Sequence, residues 1–276
     1  MRTIWSVAVA GLFAASCSTV DTVSSSRPTV ERLYVLDCGE GMAGDLSRWT
    51  PGMNAGQQMP FVDSCYLIRH KRGWLLWDTG VADAVAAMPD GLKPDDPRSV
   101  LWKRKRTLQG QLIELEVRPT DVNYVAVSHT HGDHVGNVTL FPQSMLLVQK
   151  AEYDWPGPGG KPRFDPNMPV TKLEGDRDVF GDGSVVILST PGHTPGHQSL
   201  LVRLAHTGPV VLTGDLVHFQ DNWDKRRVPS MNSDAAQSTA SMQRVADLLA
   251  REKAQLWINH DKSQRDKLKL APAYYD

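Results

Sequence analysis

From Arg32 onward, apolar and polar positions alternate in short blocks. Residues 32–38, 65–69 and 74–77 read as strands, the last two joined by a turn at Lys71-Arg72-Gly73. Residues 123–128 (NYVAVS) form a near-continuous apolar run with β-branched members, the pattern of a strand buried on both faces. Residues 145–148, 184–188, 199–202 and 210–212 read as further strands, and 257–259 closes the series. Helical spacing appears at Leu108, Leu112 and Leu115 around residues 107–114. It is clearest over 235–251, where Met242, Val245, Leu248 and Leu249 share a face and Asp234 and Gln237 stand in capping-box spacing. Strands interleaved with helices imply a layered α/β domain. Residues 39–60 and 155–171 lack periodicity, and loops of that length are uncommon unless they carry function. The charge run 103–106 reads as the solvated start of a helix.

The N-terminus breaks this pattern. Arg2 precedes an apolar stretch over residues 3–15, followed by Ser16-Cys17, which reads as a bacterial export signal. The stretch is too short for a bilayer span, which needs about 20 residues. Ala14-Ala15-Ser16-Cys17 resembles a lipobox with Ala14 in place of the usual Leu, so residues 1–17 are expected to be a signal with Cys17 lipidated. Residues 18–30, rich in Ser and Thr, read as a flexible tether, and 31–276 as one folded domain. The mature protein is expected in the periplasm or on the outer membrane, or otherwise secreted, touching membrane only through that anchor.

With 276 residues, 41% hydrophobic and 22% charged, the chain has the composition of an ordinary globular protein. Its formal net charge of −1 offers no polycationic footprint, so a nucleic-acid partner is not expected. Three cysteines make no disulfide scaffold. Cys38 and Cys65 lie in apolar strand-like runs and are expected to be buried free thiols, with a disulfide between them left open.

Histidine placement changes the picture most. His129, His131 and His134, with Asp133, fall within six residues directly after the run 123–128. A lone histidine is usually a surface or satisfied residue. Three with an aspartate at a strand end instead suit a borderline divalent ion such as Zn²⁺.

The segment His129-Thr-His-Gly-Asp-His134 resembles the HxHxDH signature of the metallo-β-lactamase superfamily. Further matching stations follow in order: Thr190-Pro-Gly-His193-Thr-Pro-Gly-His197, Thr213-Gly-Asp215 and Asn259-His260-Asp261, with an Asp78-Thr-Gly80 turn upstream. The resemblance covers roughly residues 33–261. It implies an αββα sandwich with two zinc ions at one edge. His129, His131 and His193 would hold one ion; Asp133, His134 and His260 would hold the second; Asp215 would bridge. Two such ions share a water and lower its pKa, so the implied chemistry is hydrolysis by a metal-bridging hydroxide, with Asp133 and Asp215 at the reacting centre.

Within that family the chain is most similar to the N-acyl homoserine lactonases. Residues 128–137, 190–200, 222–232 and 258–261 carry the likeness, which implies a small acylated lactone as substrate. One position departs. Where better-known lactonases place a Tyr three residues after the bridging Asp, this chain has His218. Organophosphate-hydrolysing relatives also carry Gly-Asp-x-x-His, so a phosphotriester or aryl ester is the alternative substrate, and a non-catalytic metal-binding envelope protein the alternative of another class. His218 is either a substrate contact or a loop cap. His197 is expected to make a structural hydrogen bond, and His70 and His206 to be solvated. Met42, Trp49, Met53, Met59 and Phe61 could line an acyl-chain pocket or pack a satellite core.

Overall fold

A computed structural model of the chain describes residues 29–156, 160 and 163–276, together with 1 and 3. The expected export signal and most of the tether lie outside the described residues. Strand β1 (Val30–Ala43) pairs antiparallel with β2 (Met59–His70), which turns through Lys71 and Arg72 into β3 (Gly73–Trp77). Beyond β3 the sheet continues in parallel through β5 (Tyr124–Ala126), β6 (Met145–Gln149) and β7 (Val170–Leu173), while β4 (Val100–Lys103) covers the other edge of β1. A second sheet runs β12-β11-β10-β9-β8, from β8 (Arg177–Asp178), β9 (Val185–Ser189), β10 (Gln198–Leu204), β11 (Gly208–Leu212) and β12 (Gln255–Trp257).

The strands are apolar on both faces because both faces are covered. Leu33 and Val35 of β1 point into a core shared with Val185, Leu200 and Leu212 of the second sheet. Their neighbours Tyr34 and Leu36 point outward, against Leu108 and Leu112 of helix α1 (Leu108–Glu114). On the far side, Leu188, Leu201 and Val211 pack under Met242, Val245 and Leu248 of the long helix α5 (Ala235–Glu252). The layers are therefore helix, sheet, sheet, helix: the expected αββα sandwich. The expected cap of α5 also forms, with Gln237 N–H donating to Asp234 Oδ1 at 2.9 Å.

Four expectations are corrected. Cys38 and Cys65 are buried but not free. The β1–β2 register sets Leu36 opposite Cys65, and an irregularity between Asp37 and Gly39 brings Cys38 to a Cα–Cα distance of 5.7 Å, where the two form a disulfide. The run 103–106 is not a solvated helix start. Lys103 ends β4, and Arg104 is buried with its guanidinium on the Cys38 and Val81 carbonyls and beside Asp83. His70 is not solvated: its ring stacks on Phe180 with centroids 4.0 Å apart, and Nε2 meets Asp182 at 2.9 Å. His206 is exposed, as expected. Finally, the aperiodic stretch 39–60 is shorter than it reads, because β1 continues to Ala43 and β2 begins at Met59.

Candidate metal centre

Strand ends deliver the site. β3 leads into Asp78, β5 into residues 128–134, β11 into residues 213–218 and β12 into His260; the β9–β10 turn carries His193 and His197. The seven expected donors and His218 therefore converge at one edge of the sandwich, outside the carboxyl ends of parallel strands. His131 precedes the single turn α2 (Gly132–Val135), so Asp133 and His134 swing to the side opposite His129 and His131.

Asp215 sits at the middle. Its Oδ2 lies 3.2 Å from His193 Nε2, 3.0 Å from His218 Nε2 and 3.7 Å from His129 Nε2. Its Oδ1 lies 3.2 Å from His134 Nε2 and 3.0 Å from His260 Nε2. Two donor groups result: His129, His131 and His193 with Asp215, and Asp133, His134 and His260. His218 joins a third such group with Asp215 and His260.

Three of the inward-facing imidazoles are aimed by their other nitrogen. His260 Nδ1–H donates to the Val62 carbonyl at 2.8 Å, and His193 Nδ1–H to Asn232 Oδ1 at 2.9 Å. His134 Nδ1–H donates to Asp78 Oδ2 at 2.9 Å, while the same carboxylate accepts from Ser128 N–H and hydroxyl. Such pairing orients each ring and, in its neutral form, turns the Nε2 lone pair inward. Asp215 itself is held from behind, its backbone N–H donating to His197 Nε2 at 2.9 Å while His197 Nδ1–H donates to the Thr190 carbonyl. This hydrogen bond is the structural role expected of His197. The approach requires Gly214: at φ +54 a Cβ there would lie 2.6 Å from Ser128 Cβ and 2.9 Å from His197 Nε2.

The donor set fits divalent metal. His129 Nε2 and His131 Nδ1 are 2.8 Å apart, and His131 Nδ1 and His193 Nε2 are 3.1 Å apart. Three nitrogens this close, on the buried rings of His129 and His193 and the half-buried ring of His131, cannot all be satisfied by one another, since neutral imidazole has one donor and one acceptor. His134 Nε2 and Asp215 Oδ1 are buried without a hydrogen-bond partner among the described residues. Nitrogen with carboxylate oxygen at this density suits zinc-like ions.

Charge is unevenly spread. Burial, then His134, holds His129 well below the ordinary imidazole range, and burial with His193 pushes His131 down to about 3. Across the site, burial opposes charge on His134 and His260, yet Asp215 leads the carboxylates that outweigh it. His134 is raised well above its ordinary value and His260 to about 9. Burial pushes His218 down to about 4, against Asp215.

Above the donors lies a cavity of about 350 Å³ walled by Trp49, Phe61, Val100, Trp102 and Met231, with Arg48 and Ser99 at its polar side. Trp49 and Phe61 line this cavity and also pack a satellite core with Trp102 and Phe219; Met42 and Met53 are exposed. Sequence reasoning missed Glu152, a buried carboxylate that accepts from Thr130 N–H, Thr130 hydroxyl and Gly196 N–H and so ties the two histidine loops together. Nothing in its local context marks it. Asp78 was visible as a motif position but without its role.

A family model described as the metallo-beta-lactamase superfamily matches residues 59–252. N-acyl homoserine lactonase AttM of Azorhizobium caulinodans is 34% identical over 262 residues, covering 89% of this chain and 98% of that protein. Among solved structures, an N-acyl homoserine lactone hydrolase with the product N-hexanoyl-L-homoserine at its catalytic metal centre matches with TM-score 0.78 and 28% identity, covering 89% of this chain and 99% of that one. AidC, a dizinc quorum-quenching lactonase, shares the fold at TM-score 0.60 and 18% identity, covering 90% of this chain and 97% of that one. With the family model spanning most of the chain and its lactonase relatives aligned nearly end to end, this chain belongs to the metallo-beta-lactamase superfamily and is a metal-dependent hydrolase.

Proposed function

We propose that the protein is a dinuclear zinc hydrolase that opens the lactone ring of N-acyl homoserine lactones. The observation that carries this reading is Asp215, whose two oxygens face two separate groups of imidazoles. His129, His131 and His193 would hold one ion and Asp133, His134 and His260 the other, with Asp215 shared. Zinc bound there supplies Lewis acidity and lowers the pKa of water toward ~7.

The chain's own residues do the rest. Asp133 lines the pocket and is the carboxylate placed to hold the proton released on hydrolysis and return it to the departing ring oxygen. His218 is neutral at working pH, because burial depresses its pKa, and offers a polar contact to the substrate where the better-known lactonases carry Tyr. The walls of Trp49, Phe61, Trp102 and Met231 bury the acyl portion and exclude water. The N-terminal pattern supports export and lipid anchoring, and the Cys38–Cys65 disulfide accords with an oxidising compartment.

The test is to incubate zinc-loaded protein with N-hexanoyl homoserine lactone and measure the ring-opened acid, with metal content determined on the same sample. The expected result is turnover with about two zinc ions per chain; no turnover of the lactone would overturn the reading. Because His218 also suits a phosphotriester or aryl ester, kcat/KM over all three substrate classes decides between them.

A further inference from the structure

Among the described residues that line the cavity, Arg48 is the one arginine or lysine. Arg48 closes the 3-10 turn Leu46–Arg48 and lines the same cavity as Asp133, Asp215 and His218. Its Nη1 pairs with Asp96 Oδ2 at 2.5 Å, but that carboxylate is shared. Asp96 Oδ1 also accepts from Arg98 Nε at 3.0 Å and Oδ2 from Arg98 Nη2 at 2.8 Å, so one carboxylate answers two guanidiniums. Arg48 Nε is buried and has no hydrogen-bond partner among the described residues. Nε is closed off from the cavity, but the Arg48 side chain as a whole is 23% exposed and lines it, so the terminal nitrogens are what an entering ligand can reach.

The turn itself does not depend on this side chain. The Arg48 carbonyl accepts from Ser230 N–H at 2.9 Å and from the Ser230 hydroxyl at 3.0 Å, which pins the backbone separately. Away from the donor cluster, Trp49, Phe61, Val100, Trp102 and Met231 are apolar, so a carbonyl entering among them needs a donor and finds few. An N-acyl homoserine lactone carries such a carbonyl in the amide beside its ring.

Resting on the lactonase reading above, we propose that Arg48 donates to the acyl-amide carbonyl of the substrate and so determines preference for amide-bearing lactones over plain ones. The guanidinium, already half-compensated by Asp96, suits a neutral oxygen acceptor.

The experiment uses the full-length, zinc-loaded chain, with KM and kcat measured on N-hexanoyl homoserine lactone and on γ-caprolactone, which has no amide. Arg48→Met should raise KM for the amide-bearing lactone by about tenfold, leaving kcat and the plain lactone within about twofold. Arg48→Lys, which keeps the charge and removes the planar guanidinium fork, should show the same split at smaller size. Calorimetric binding of the γ-lactam analogues, with and without the hexanoylamide group, reads the split without turnover. Equal effects on both ligands, or none, overturn the assignment. If Arg48→Met does not melt cooperatively, Arg48→Lys decides by the same criterion. Wild-type failure on both lactones with the lactam split intact would overturn the lactonase reading alone; turnover without a split would overturn only the role of Arg48.

Discussion

The two halves of the histidine cluster share Asp215 but are built on opposite electrostatic terms. In the first half, His129 and His131 are crowded by other imidazoles and kept neutral by burial. Its loops are tied by Glu152 and His197, neither of which touches the inward nitrogens. In the second half, His134 and His260 are held by carboxylates that favour their charged forms, with Asp78 hydrogen-bonded to His134 from behind. The first half presents lone pairs ready for a cation, whereas the second must give up protons first. Identical ligand types thus need not load alike; the difference lies in what stands behind each ring.

The severest way to break this comparison is to remove what the halves share. Asp215→Ala should cut kcat/KM on the lactone by on the order of 10³ or more and lower zinc content to one ion or fewer per chain. Unchanged activity in that variant would refute the two-ion site.

A second test exploits protonation. In the metal-free protein the pKa of His260 is raised to about 9 from an ordinary 6.5. Its contribution to stability is therefore complete below pH 6.5 and lost as pH rises through 9. Zinc must displace protons from both His134 and His260, so affinity of the second half should rise by up to about a hundredfold per pH unit across this window. The first half, with His131 already neutral above about pH 3, should show little dependence there. Calorimetric zinc titrations in buffers of different ionisation enthalpy would detect proton release confined to one of two binding steps. Release at both steps, or neither, contradicts the contrast.

A narrower change is Asp78→Asn, which keeps the shape behind His134 while removing the charge. It should weaken the second zinc by about 10–100-fold and leave the first nearly untouched, as read by competition with a chromophoric chelator. The smallest effect is expected outside the cluster: His206→Ala, at an exposed turn, should alter neither zinc stoichiometry nor thermal midpoint beyond about 0.5 kcal/mol of stability.

Much of this site was legible along the chain because metal chemistry writes itself locally. Three histidines and an aspartate within six residues after a doubly buried strand have few other uses, and His193, Asp215 and His260 each follow a strand as well. The layered architecture was legible for a similar reason: strands apolar on both faces and an amphipathic helix over residues 235–251 need covers on both sides. Two misreadings share one cause. Cys38 and Arg104 were judged by their nearest neighbours in the chain, yet their partners, Cys65 and the Val81 carbonyl, come from other elements.

Residue type and spacing thus specified the donors, the layers and the chemical class, since short-range periodicity and ligand chemistry are properties of a segment. The acceptors that aim those donors come from much farther away. Asp78 reaches Ser128 across 50 residues and the Val62 carbonyl reaches His260 across 198. The disulfide, the Glu152 tie and the half-compensated Arg48 arise the same way. A hydrogen bond or a charge environment exists only once distant strands are in register, so the contrast between the two halves of the cluster is a product of folding.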